Sequence, residues 1–120
     1  MSPPTDSAGD LAPAGRPVKM EILYFDCCPS HEALLPRARA LAAQHGAEVE
    51  LRRVETAEAA LSERFIGSPT VRVDGEDVEP GAAQRADFGL TCRVYPSAEG
   101  RSPLPPDEWI VDALRRAQAR

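Results

Sequence analysis

The residues best suited to chemistry are the adjacent thiols Cys27 and Cys28, the proline that follows them, Pro29, and His31 one turn later. Residues 20–25 just upstream are apolar and aromatic, the composition of a mostly buried strand. Pro29 cannot continue a strand but suits the first position of a helix. Cys28 is therefore expected at a strand-to-helix junction. Unsatisfied backbone N–H groups and the positive end of the helix dipole there favour thiolate over thiol. An ordinary cysteine titrates near pH 8.5, and such placements lower that to roughly 3.5–7.5. Open α/β folds also put their sites at the C-terminal edges of strands. The chemistry implied is attack on a disulfide or oxidised thiol, or capture of a soft metal ion. The bland alternative, a small buried hydrophobe, fits poorly with a helix-starting proline next in sequence.

The neighbours of Cys28 carry two readings each. Adjacent Cα atoms lie about 3.8 Å apart, below the disulfide range that starts near 4.4 Å, so Cys27 and Cys28 suit sharing a soft metal better than bonding each other. Alternatively Cys27 ends the strand and points into the core, because strand neighbours alternate sides. His31 is spaced to hydrogen-bond a Cys28 thiolate or to ligate a metal, or it is simply solvated at a helix start. Cys92 is either a resolving thiol or third thiolate for Cys28, or an inert loop cysteine. Arg93 beside it would hold an anion or lower a thiol pKa.

The elements that must position these groups follow from pattern. Residues 1–17 are rich in Pro, Gly and Ser with little to bury, and read as a disordered tail ahead of one domain over 18–120. Pro29 opens a helix with Glu32 in its first turn, an apolar face of Leu34, Ala38, Leu41 and Ala42, an internal Pro36, and a stop at Gly46. Residues 48–52 alternate as a second strand. Thr56 caps a short helix ending near Phe65, with Gly67 beyond. Residues 70–73 form a third strand, Asp74-Gly75 a hairpin turn and residues 77–79 its return. Residues 80–105 show no period. That is long for a loop in a small domain, and points to function or to a short hidden element. Pro106-Asp107-Glu108 opens a last helix that carries Trp109, Ile110, Ala113 and Leu114. A strand-helix-strand start implies a parallel pair. An antiparallel third strand would begin at the edge where the first ends, and its return would bring the loop holding Cys92 back to Cys28.

Bulk composition narrows the classes. The 120 residues suit a single domain, and a net charge of −5 with lysine only at Lys19 offers no phosphate-binding stripe for nucleic acid. No apolar run is long enough to span a membrane and the N-terminus has no secretory pattern, so a cytoplasmic location is expected. There, cysteines serve better as reactive or metal-binding thiols than as structural disulfides.

Three features resemble the thioredoxin and glutaredoxin superfamily: the segment Tyr24-Phe25-Asp26-Cys27-Cys28-Pro29-Ser30-His31, the tripeptide Ser68-Pro69-Thr70 before the third strand, and the element order. The resemblance covers Val18 to about Ala117. It implies an α/β, thioredoxin-like fold with a central four-stranded mixed sheet flanked by helices. It also implies a cis Ser68–Pro69 bond with the proline beside the reactive cysteine, against the simpler reading of a strand-start proline. Ser68, Pro69, Thr70 and Arg93 then lie on the binding side. Two departures stand out. His31 occupies the place of the second cysteine of dithiol members, and Pro80-Gly81-Ala82-Ala83 replaces the Gly-Gly-then-Asp pattern that binds glutathione. Small bacterial proteins of this look are sometimes labelled alkylmercury lyase, a chemistry with which the Cys27-Cys28 pair is compatible. The implied function is cofactor-free thiol-disulfide exchange with protein or small-molecule thiols and disulfides. It would start at Cys28 and be resolved by Cys92, Cys27 or an external thiol. The alternatives are a soft-metal or organomercurial binder using Cys27, Cys28 and Cys92, and a non-catalytic module of the same fold.

Overall fold

A computed structural model describes residues 17–26, 29–98 and 100–119. Most of the expected N-terminal tail, and both Cys27 and Cys28, lie outside the described residues.

The first strand, β1 (Val18–Tyr24), buries Val18, Met20 and Ile22 toward one face and Leu23 toward the other. Pro29 occupies the N-cap of α1 (Ser30–Gln44), and Glu32 sits in its first turn. Leu34, Ala38 and Ala42, spaced by four, form its buried stripe. Pro36 lies within this helix, which continues for two more turns. The helix ends where Gly46 takes a left-handed φ of 66°. Strand β2 (Ala47–Arg53) then runs parallel to β1, from Val18↔Ala47 to Tyr24↔Arg53.

Helix α2 (Ala57–Ser62) is capped as expected: the Thr56 hydroxyl accepts from the Ala59 amide at 3.0 Å. It stops short of Phe65 because the chain leaves helical geometry at Arg64, whose φ is 55°. Strand β3 (Thr70–Val73) pairs antiparallel with β1, Leu23↔Thr70 to Met20↔Val73. Asp74 and Gly75 both have positive φ, the requirement of the favoured two-residue hairpin turn, and lead into β4 (Glu76–Asp77). This return strand is shorter and starts earlier than the expected 77–79. The Asp77 carboxylate accepts the Glu79 amide at 2.9 Å, a local turn that draws the chain out of the ladder.

The unpatterned stretch holds a single 3-10 turn (Ala82–Gln84) and a small hairpin, β5 (Tyr95–Ser97) with β6 (Gly100–Ser102). Helix α3 (Asp107–Ala119) closes the chain and buries Ile110, Ala113, Leu114 and Ala117. The sheet order is β2-β1-β3-β4. The protein is thus an α/β fold on a four-stranded mixed sheet. The main core lies between the sheet and α1 and α3. A smaller cluster of Leu23, Val54, Ala60 and Phe65 lies on the opposite face, against α2. Among the described residues, no helix is long and apolar enough to cross a membrane.

Candidate functional site

The described residues that flank the β1–α1 connection make contacts of their own. The Tyr24 ring, last in β1, stacks on the His31 ring of the first turn of α1, with centroids 4.0 Å apart and planes 20° from parallel. Asp26 receives a hydrogen bond from Arg53, at the end of β2, at 3.1 Å. A cavity of about 510 Å³ is lined by Phe25, Asp26, Arg53, Val54, Glu55 and Leu90.

Thr70 pairs with Leu23, so the two residues before it run beside the end of β1. The Ser68–Pro69 bond is cis, as the resemblance implies, and Ser68, Pro69 and Thr70 are buried. Cys92 comes to the same place. The Ser68 amide donates to the Thr91 carbonyl and the Arg93 amide to the Ser68 carbonyl, both at 2.8 Å, a parallel bridge between Ser68 and Cys92. Cys92 itself is exposed. The described geometry thus places Cys92 beside Ser68, while Cys28, to which the long loop was expected to return it, lies outside the described residues.

Arg93 is placed differently from expectation. Its side chain is only 1% exposed and faces the interior. Nη1 donates to Asp77 Oδ2 at 2.8 Å and Thr70 Oγ1 at 3.0 Å; Nη2 donates to Asp77 Oδ1 at 3.0 Å and Glu79 Oε1 at 2.7 Å. Burial alone would lower its pKa, but the hydrogen bonds and charges of Asp77 and Glu79 outweigh that and raise it. With its charge matched by two carboxylates, Arg93 does not offer a site for an external anion. It pins the segment that carries Cys92 onto the β3–β4 hairpin. Thr70 is similarly occupied: its hydroxyl donates to the Gly67 carbonyl at 2.6 Å while receiving Arg93.

Two positioning residues are absent from the sequence-level list. Tyr95 is 1% exposed and donates its hydroxyl to the Pro69 carbonyl at 2.5 Å, with the Arg93 guanidinium 4.8 Å from its ring centre. Burial pushes its phenol pKa up, so it remains a donor. Gly67 has φ 150°, and a Cβ there would meet the Thr91 carbonyl oxygen at 3.0 Å and Arg93 Cβ at 3.1 Å. Only glycine lets the Cys92 segment lie this close. No sequence signal marks Tyr95: the structure exposes Cys92 and Val94 and buries Arg93 and Tyr95, the reverse of what the residue types Arg and Val suggest.

A second cavity of about 460 Å³, bordered by Arg64, Arg72, Phe88 and Arg116, includes none of the sequence-predicted site residues. Among the described residues there is no group of three His, Cys, Asp or Glu side chains placed to hold a metal. In comparisons with known proteins, no family model, curated protein or solved structure matches this chain. What the geometry can do chemically rests on an exposed thiol, Cys92, held beside Ser68–Pro69 at the edge of the sheet where β1 ends and α1 begins.

Proposed function

We propose that this is a thioredoxin-like thiol protein that reduces disulfides through Cys28, with Cys92 as the second thiol. The observation that carries the reading is the backbone bridge between Cys92 and Ser68, which holds a cysteine distant in sequence at the sheet edge from which the turn bearing Cys28 departs. The sheet order β2-β1-β3-β4, the cis bond before β3 and the 15-residue helix begun by Pro29 support it.

In the proposed cycle the Cys28 thiolate attacks one sulfur of a substrate disulfide. The substrate S–S bond breaks, the departing sulfur takes a proton from solvent, and a mixed disulfide remains on Cys28. The Cys92 thiolate then attacks Cys28 Sγ and releases the second substrate thiol. Two electrons pass from the two cysteines to the substrate, leaving a Cys28–Cys92 disulfide. A low-molecular-weight dithiol or two monothiols reduce it and complete the turnover. His31 replaces the second cysteine of a Cys-x-x-Cys motif, which is why the resolving thiol is sought on another segment.

The test is alkylation rate against pH, read by mass spectrometry on the wild type and Cys28→Ser, with insulin reduction in parallel. The expected result is a Cys28 profile that titrates clearly below the ordinary thiol value of about 8.5 and turnover abolished in Cys28→Ser. An ordinary profile with no turnover in the wild type would reject the proposal.

A further inference from the structure

Strand β2 is the edge of the sheet, and among the described strands it pairs only with β1. No proline or bulge interrupts it, its register with β1 is continuous over 7 residues, and its charged side chains, Glu48, Glu50, Arg52 and Arg53, are of both signs. Leu51, near its middle, is 40% exposed. Just past the strand the Val54 amide donates to the Tyr24 carbonyl at 2.8 Å, so Val54 directs its backbone groups toward β1. Alternation then turns the N–H and C=O groups of Val49, Leu51 and Arg53 outward, away from the sheet.

We propose that this edge pairs antiparallel with the same edge of a second copy of the chain, about a two-fold axis at Leu51, joining two sheets into one. In that register Leu51 and the partner's Leu51 exchange both backbone hydrogen bonds, as do Val49 and the partner's Arg53. Glu50 stands opposite the partner's Arg52, and symmetry repeats the attraction. On the helix-facing side Leu51 meets the partner's Leu51. Charge selects the register. Moving the axis one residue toward the N-terminus sets Glu50 against the partner's Glu50, and one residue toward the C-terminus sets Arg52 against the partner's Arg52. Like charges directly opposite destabilise a ladder. The existing ion pairs, Glu50 with Lys19 and Arg52 with Glu21 and Glu63, reach back over the strand's own sheet and α2, and are compatible with this pairing. A homodimer is thus the occupant that the strand's own sequence complements.

Sedimentation equilibrium across the micromolar to millimolar range tests this on the full chain, with Leu51→Lys, Glu50→Arg and Glu48→Arg as variants. All three side chains are exposed, and thermal melts establish that each variant is folded. The wild type is expected to dimerise. Leu51→Lys and Glu50→Arg should raise the dimer dissociation constant roughly tenfold or more, whereas Glu48→Arg, which faces the partner's Val54, should change it less than about threefold. The two Glu→Arg changes alter net charge identically; Glu50 also loses its exposed ion pair with Lys19, whose effect on folding the thermal melts read separately. A monomeric wild type, or equal weakening by both Glu→Arg variants, would overturn the proposal. Neither result depends on the thiol chemistry.

Discussion

Replacing Arg93 by methionine keeps an unbranched stem of similar length and removes the guanidinium charge that joins the Cys92 segment to the β3–β4 hairpin. The guanidinium is 1% exposed, and its partners Asp77 and Glu79 are 14% and 20% exposed. Breaking a buried ion pair by deleting one member costs about 3–5 kcal/mol, since the remaining charge stays desolvated. Here the low end applies. Both carboxylates keep some access to water, and Glu79 retains Arg85 at 3.2 Å. The expected loss is therefore about 3 kcal/mol, or a drop in Tm on the order of 12 °C for a domain of this size. Trp109, the only tryptophan, packs edge-on to Tyr95 at 6.1 Å and reports unfolding in urea by its fluorescence. Adding Asp77→Asn to Arg93→Met should cost less than the sum of the two single changes, because the stranded charge is partly removed. A loss below about 1 kcal/mol for Arg93→Met would mean that the pair behaves like a surface ion pair, and the clamp argument would fail.

Other expectations follow from the same contacts. Gly67→Ala places a Cβ 3.0 Å from the Thr91 carbonyl oxygen at a φ that disfavours L-residues, and should cost about 1–3 kcal/mol while speeding Cys92 alkylation. Tyr95→Phe strands the Pro69 carbonyl and should cost about 1–3 kcal/mol in urea melts, with the Arg93–ring contact retained. The Asp87 carboxyl is held below its usual range chiefly by its hydrogen bond from Arg85. A depressed carboxylate stabilises the fold above its unfolded pKa, and that contribution is lost as pH falls through its folded pKa. Because Asp87 is exposed the effect on stability is small, so the direct readout is NMR: Arg85→Gln should move the Asp87 titration upward, and an unchanged midpoint would contradict the assignment.

Those parts of the fold governed by local rules were legible in the sequence. The apolar run over residues 20–25, the Thr56 cap and the Asp74-Gly75 turn each impose a conformation through neighbours a few residues away, and each marks an element that the structure contains, with ends shifted by a few residues. The β5–β6 hairpin was not legible. Strands of three residues containing Pro96 and Gly100 are too short to show a period. The sequence suggested that Arg93 would hold an anion or lower a thiol pKa; its burial was not legible, because only the arrival of Asp77 and Glu79 from a separate hairpin makes that burial tolerable. The expected return of Cys92 to the sheet edge came from topology. The groups that hold it there, Gly67 and Tyr95, act through close approach between segments distant in sequence, which no local pattern encodes.

The central claim is that Cys92 lies within reach of Cys28. Peptide mapping by mass spectrometry after mild diamide oxidation of dilute protein tests it most directly. The account predicts an intramolecular disulfide joining the peptide of Cys28 to that of Cys92, abolished by either serine substitution. Oxidation that leaves Cys92 unlinked to Cys28 in the folded wild-type chain would contradict it.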